Sequence, residues 1–160
     1  MDRTLRFAHT CGLVMFLGSV AAFAVASGVP RAGDLAALAT VRQVIGQGTG
    51  YLTLPGLALV IVCGIAMIVA KPDRLGLSRT RVMAVIAAVL VVNTAFVILP
   101  AASAATAMAR ASARAGSLDA GYQRAYLTES VAGGGNIVLA LTALAAGLAR
   151  PEVVRETEGA

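Results

Sequence analysis

Uncharged apolar runs divide this chain. Residues 7–30, between Arg6 and Arg31, form 24 consecutive positions without a formal charge, and residues 52–70 form a second stretch of 19. Two more follow, 28 positions at 82–109 and 20 at 130–149. About 20 apolar residues, rising roughly 1.5 Å each along a helix, cross a hydrocarbon core about 30 Å thick. Lipid offers the backbone no partners, so each crossing must be helical. The pattern predicts an all-α integral membrane protein, a four-helix bundle in one domain over residues 1–150, with spans at about 7–28, 52–70, 82–109 and 130–149.

Between the spans the polar positions predict the connections. "SGVPR" ends the first helix at Gly28 and Pro30. In "GDLAALATVRQVIGQG" Asp34 is placed to cap a helix, and Leu35, Leu38 and Ile45 recur on one side, which predicts an amphipathic helix lying at the outer surface. "GQGTG" at 46–50 then reads as a flexible turn, since no strand precedes it to make a phosphate loop. Pro55 suits the first turn of the second span, and Pro100 predicts a kink in the third. Ala101, Ala105, Ala109 and Ala113, spaced by four, predict a close helix contact beyond that kink. A turn at Gly116 follows, with Ser117 capping the fourth helix. Tyr51, Tyr122 and Tyr126 fall at the expected outer interface. The tail 151–160 is short, charged and expected to be disordered.

Composition agrees: 58% of the residues are hydrophobic and 13% charged, with a mean hydropathy of +0.82. The net charge of +5 does not signal nucleic acid, because the basic residues gather at the ends of the spans. Arg3, Arg6, Lys71, Arg74, Arg79, Arg81, Arg150 and Arg155 share one face in a four-span topology, against Arg31, Arg42, Arg110, Arg114 and Arg124 on the other. Eight against five places both termini in the cytoplasm by the positive-inside rule. The location implied is the bacterial inner membrane, multi-pass, with the lipid bilayer as the first partner and a homo-oligomer as a second. "AVASG" also carries the small residues that signal peptidase accepts after Ala26, so cleavage of the first span is an open alternative.

Candidate chemistry lies in the polar groups inside the spans, each of which is costly in lipid and needs a partner or a purpose. They are His9, Asn93, Asn136 and, at the mouth of the fourth span, Glu129. Glu129, Gly133 and Asn136 stand at i, i+4 and i+7, so the carboxylate and the amide share a face and predict a small polar pocket with Asn93. The alternative is that the asparagines bond across helices while Glu129 pairs with Arg110, Arg114 or Arg124. Gly133, Gly134 and Gly135 suggest that another backbone or a flat ligand packs there. Cys11 with Met15 and Cys63 with Met67 are soft donors one turn apart, a pattern that suits copper. No CxxC spacing and no paired carboxylates within a span occur, which argues against a zinc site, a disulfide framework or soluble-type hydrolysis.

His9 is the only histidine. Three residues inside the first span it is shallow enough for its ring to reach interfacial water or lipid phosphate. Gly12, one turn on, would leave room beside the imidazole for a flat macrocycle, with Met15, Met67 or Met83, or a second copy of the chain, completing the coordination.

"AHTCGLVMFLGS", "YLTLPGLALVIVCGIAM" and "GNIVLALTALAAGLARP" together resemble small four-helix bacterial membrane proteins of unknown function. Those proteins are related to the copper-resistance protein D domain and, distantly, to membrane protoporphyrinogen IX oxidase. The resemblance implies a haem-linked redox or porphyrin-handling role, with His9 matching the first-helix histidine that is linked to haem; joined to the spacing above, this makes His9, Gly12 and Met15 the candidate haem b site. The lysine those oxidases carry near the start of a later helix has no counterpart in "LSRTRVM". The other function class is a non-catalytic bundle that binds a partner protein, a lipid or copper.

Overall fold

The computed structural model describes residues 3–31, 33–70 and 78–148. The tail 151–160 and most of the basic loop after the second span lie outside the described residues. Among the described residues six α-helices form four rods: α1 (Arg3–Ser27), α2 (Leu35–Gly48) continuing into α3 (Leu54–Val69), α4 (Ser78–Asn93) continuing into α5 (Leu99–Ala115), and α6 (Tyr122–Leu148). The described residues contain no strand. We call the end where α1 begins proximal and the opposite end distal. All four rods contain a helical stretch long and apolar enough to cross a membrane. Many large apolar side chains point outward, among them Phe7, Val14, Val62, Val85, Phe96 and Val138. Such a surface is ill-suited to water and well suited to lipid.

The second rod departs from the expected outline. Residues 46–50 make no turn: the helix runs unbroken from Leu35 to Val69, so α2 is the distal half of a rod and not a separate surface helix. Proline chemistry explains the continuity. Pro55 has no N–H to give, and its ring would collide with the carbonyl four residues earlier. The chain widens instead into a π segment, Thr49–Thr53, in which Leu54 donates back five residues to the Thr49 carbonyl. Pro100 is handled in the same way, by a second π segment at Thr94–Ile98 with Leu99 bonded to the Thr94 carbonyl. Asp34 caps α2 as expected, accepting from the Ala37 N–H at 2.9 Å. The α5–α6 turn uses Gly116 in the left-handed region (φ 71°), and its cap is Asp119 rather than Ser117. The Asp119 side chain accepts from the Gly121 N–H at 2.7 Å, and its carbonyl receives the Tyr122 N–H.

Glycine decides how α1 meets α3. At their crossing a Cβ on Gly12 would lie 2.9 Å from the Gly56 carbonyl oxygen, and one on Gly56 would lie 2.7 Å from the Phe16 backbone nitrogen. The two backbones touch, which only small residues allow. Around this crossing an apolar cluster joins Phe16 and Leu57 to Ile86, Leu90 and Ala140. At the distal end a second cluster packs Ala105, Ala109 and Tyr122 against Leu38, Met108, Ala125 and Tyr126. The alanine stripe thus performs its expected role at Ala105 and Ala109, with Ser112 completing it, while Ala113 is exposed. Tyr122 is buried in this cluster, and its ring stacks on Tyr126 with centroids 6.0 Å apart. Among the described residues nothing packs closely on Gly133, Gly134 or Gly135: a Cβ at any of them would meet no atom within 4 Å.

Substitutions should separate these two classes of small residue. Gly56→Ala forces a methyl against the α1 backbone and is expected to cost about 1–3 kcal/mol, the usual range for overpacking. Gly134→Leu is expected to change stability by less than about 0.5 kcal/mol, as surface replacements do. Thermal unfolding of the two variants in detergent checks both.

Candidate functional site

Three polar clusters lie between the helices, and each begins with a side chain noted in the sequence. His9 is the first. The described helix starts at Arg3, so His9 lies nearly two turns in, half-buried, and its ring turns toward α3 instead of toward solvent. Its Nδ1 lies 3.0 Å from the Val60 carbonyl oxygen. A carbonyl can only accept, so Nδ1 carries the proton, and in the neutral ring Nε2 carries the lone pair. Gly64, one turn on from Val60, lies beside the ring: a Cβ there would make ordinary contact with the His9 Cε1 at 3.9 Å.

Gly12 and Met15 do not make the space expected of them. The ground beside Gly12 is filled by the Gly56 carbonyl and the Val60 side chain, and the Met15 Cβ lies against Gly56. No macrocycle fits between α1 and α3 at that point, because two helix backbones already meet there. What remains fit for a metal is the Nε2 lone pair, held in orientation by a bond from the opposite ring nitrogen to a backbone carbonyl. Ser19 lies higher on the same helix face, its hydroxyl 2.8 Å from that of Thr53 in the first π segment.

The second cluster joins α4 to α6. Asn93 Nδ2 donates to the Asn136 Oδ1 at 2.7 Å and to the Ala132 carbonyl at 3.1 Å. Asn136 is buried, and its own Nδ2 donates to the Thr94 hydroxyl at 2.9 Å and to the Leu90 carbonyl at 3.5 Å. The two amides therefore bond across helices and leave no polar pocket.

The third cluster holds Glu129, well apart from Asn136: seven residues of helix separate them by about 10 Å. The Glu129 carboxylate forms an ion pair with Arg42 on α2, not with Arg110, Arg114 or Arg124. Arg42 is 2% exposed, and its guanidinium also donates to the Ala102 carbonyl at 3.4 Å. Alanines at 105 and 109, both fully buried, make room for this long side chain between α2, α5 and α6. The Arg42 Nε is buried without a hydrogen-bond partner among the described residues. The sequence reading missed Arg42, although Leu35, Leu38, Arg42 and Ile45 share one helix face and a charge on an apolar face calls for a buried partner.

Of the soft donors, Cys63 is buried and Cys11 half-buried. Among the described residues no three histidine, cysteine, aspartate or glutamate side chains gather where they could hold a metal ion. The surface concavities are shallow: one is lined by Ala88, Val89, Val92, Asn93 and Val97, the other by Pro100, Met108, Gly121, Arg124 and Thr128. Comparison of the chain with family models, with curated proteins and with solved structures gives no match.

The ion pair is open to a direct test. Removing one partner of a buried pair strands a charge and typically costs about 3–5 kcal/mol, whereas replacing both is far milder. Glu129→Gln is expected to show the large loss, and the double variant Arg42→Met with Glu129→Gln to recover most of it. A thermodynamic cycle on the purified protein checks this.

Proposed function

We propose that the protein is a multi-pass protein of the bacterial inner membrane that acts as a non-catalytic helical bundle, with both ends in the cytoplasm. One observation carries this reading: the polar side chains within the apolar rods are committed to neighbouring helices. His9 is bonded to Val60, Ser19 to Thr53, and Asn93 and Asn136 to each other and to Thr94. Side chains spent in this way hold helices together and leave little for acid–base work.

The lengths of the rods support the same picture. Leu35–Val69 has 35 residues and runs about 50 Å, well beyond a hydrocarbon core of about 30 Å. On this reading α2, α5 and the first turns of α6 stand outside the bilayer as a headpiece on the exported side. A partner protein would meet the headpiece or the bare glycine face of α6, where Gly134 and Gly135 leave a helix backbone uncovered.

A second reading is favoured by one specific observation, the lone pair at His9 Nε2. In the resemblance to the protoporphyrinogen oxidase relatives, the first-helix histidine is tied to haem. A haem at His9 would be held by that imidazole and would supply redox chemistry.

One experiment distinguishes the readings. The visible spectrum of wild type and His9→Ala, purified in detergent from haem-replete cells, is expected to show no Soret band in either, with His9→Ala about 1–2 kcal/mol less stable through loss of an interhelical bond. A Soret band in wild type that vanishes in His9→Ala, with the fold intact, would favour the haem reading. Topology is checked with reporter fusions: those at Lys71 and at the C-terminus should behave as cytoplasmic, and one near Gly33 as exported.

A further inference from the structure

A seam runs along the outside of the bundle between the third and fourth rods, and both shallow concavities lie on it. The distal one has walls from both rods: Pro100, Ala101 and Met108 of α5 face Gly121, Arg124 and Thr128 of α6. The proximal one is lined from Ala88 to Val97. Asn93 belongs to it and donates to the Ala132 carbonyl of α6, which puts it on the same seam. Val97 and Pro100 are three residues apart, so the two concavities follow each other along one rod. On α6, Arg124, Thr128, Ala132 and Gly135 are spaced by four, four and three, one above another on a single face. Below Arg124 this face carries only small side chains, and a Cβ at Gly135 would meet no atom within 4 Å.

The chemistry changes along the seam. Apart from Asn93 its proximal part is apolar, lined by Ala88, Val89, Val92 and Val97. The distal part ends in a cation. Arg124 is exposed and forms no ion pair among the described residues, where Glu129 is paired with Arg42 instead. The Thr128 hydroxyl is spent on its own helix, donating to the Arg124 carbonyl at 2.9 Å. Beyond Arg124 the seam closes: a Cβ on Gly121 would lie 3.1 Å from the Met108 Cε, and the Asp119 carboxylate caps the Gly121 N–H there. One unpaired positive charge thus stands at the head of an apolar trough.

The dimensions match half a bilayer. Pro100 and Ala88 are twelve residues apart, about 18 Å of helix, against about 15 Å for one leaflet of a hydrocarbon core. Arg124 lies six residues before the uncharged run that opens at Ser130, about 9 Å further out. The headgroup layer adds about 5–8 Å on each side of the core, and a long arginine side chain reaches into it.

We infer that the seam binds one anionic phospholipid of the distal leaflet, its phosphate on Arg124 and one acyl chain laid along the trough past Thr128, Ala132 and Gly135. The trough takes a hydrocarbon chain in preference to water. The unpaired guanidinium favours a headgroup of net negative charge over a zwitterionic one. This assignment rests on the membrane reading of the bundle given above.

Native mass spectrometry of the full chain tests it, with the protein released from detergent containing equal amounts of phosphatidylglycerol and phosphatidylcholine of the same chain length. Wild type is expected to retain phosphatidylglycerol about fivefold more than phosphatidylcholine, the effect of one basic residue at a membrane surface. Arg124→Gln should bring the ratio to about one, whereas Arg110→Gln, at an exposed arginine outside the seam, should leave it unchanged. Glycerol 3-phosphate, which has the charge without the chains, should not displace the lipid. Phosphatidylglycerol with a photoreactive diazirine midway along one chain is expected to label wild type within residues 88–97 and between Thr128 and Gly135. A ratio near one in wild type, an unchanged ratio in Arg124→Gln, or labelling confined to other faces would overturn the inference, and the wild-type results stand whether or not a variant folds. Displacement by glycerol 3-phosphate would overturn the lipid in favour of a free anion. A chain that purifies without detergent would overturn the membrane reading itself, which a missing lipid preference alone would leave standing.

Discussion

A polar side chain buried between apolar helices must bond to another helix, and this constraint organises the bundle. Water is absent as an alternative partner, so a donor left alone costs several kcal/mol. Each bond formed returns only about 0.6–2 kcal/mol, which makes these contacts more effective at choosing neighbours than at adding stability. The choice is visible here: His9 selects α3 for α1, Asn136 selects α4 for α6, and Arg42 selects α5 and α6 for α2. The glycines at 12 and 56 let the two backbones touch, and this close approach brings His9 within 3.0 Å of a helical carbonyl.

The constraint also explains what was legible in the sequence. Charge-free runs long enough to cross lipid announce four rods, and the asparagine pair across helices was among the arrangements expected. Length and hydropathy are additive properties of a segment, so they survive without knowledge of the neighbours. The π segments were not legible. Gly46, Gly48, Gly50 and Pro55 read locally as a break, yet helix α2 continues through them because a widened turn absorbs the proline and α1 packs along the rod. Pro100 was read correctly as an interruption within a helix, since apolar residues precede it instead of glycines.

The sites divide in the same way. The face shared by Glu129 and Asn136 was read correctly as geometry and wrongly as a pocket, because each residue finds its partner on a different helix. Gly12 was expected to make room for a ligand and instead makes room for a backbone. Spacing within one helix cannot distinguish these cases, since the second helix decides them. The glycines at 133–135 remain bare among the described residues, so the close packing expected of them is not made there.

The account rests most directly on His9 as a donor between α1 and α3, and the chain simplifies that test because it has one histidine. Solid-state nitrogen NMR of the protein labelled at histidine and reconstituted in bilayers reads the proton position without assignment. The expected spectrum shows a proton on Nδ1 and a through-space correlation from Nδ1 to the Val60 carbonyl carbon. A proton on Nε2 with a bare Nδ1, or the absence of that correlation, would contradict the clasp and with it the ordering of the bundle around polar contacts between helices.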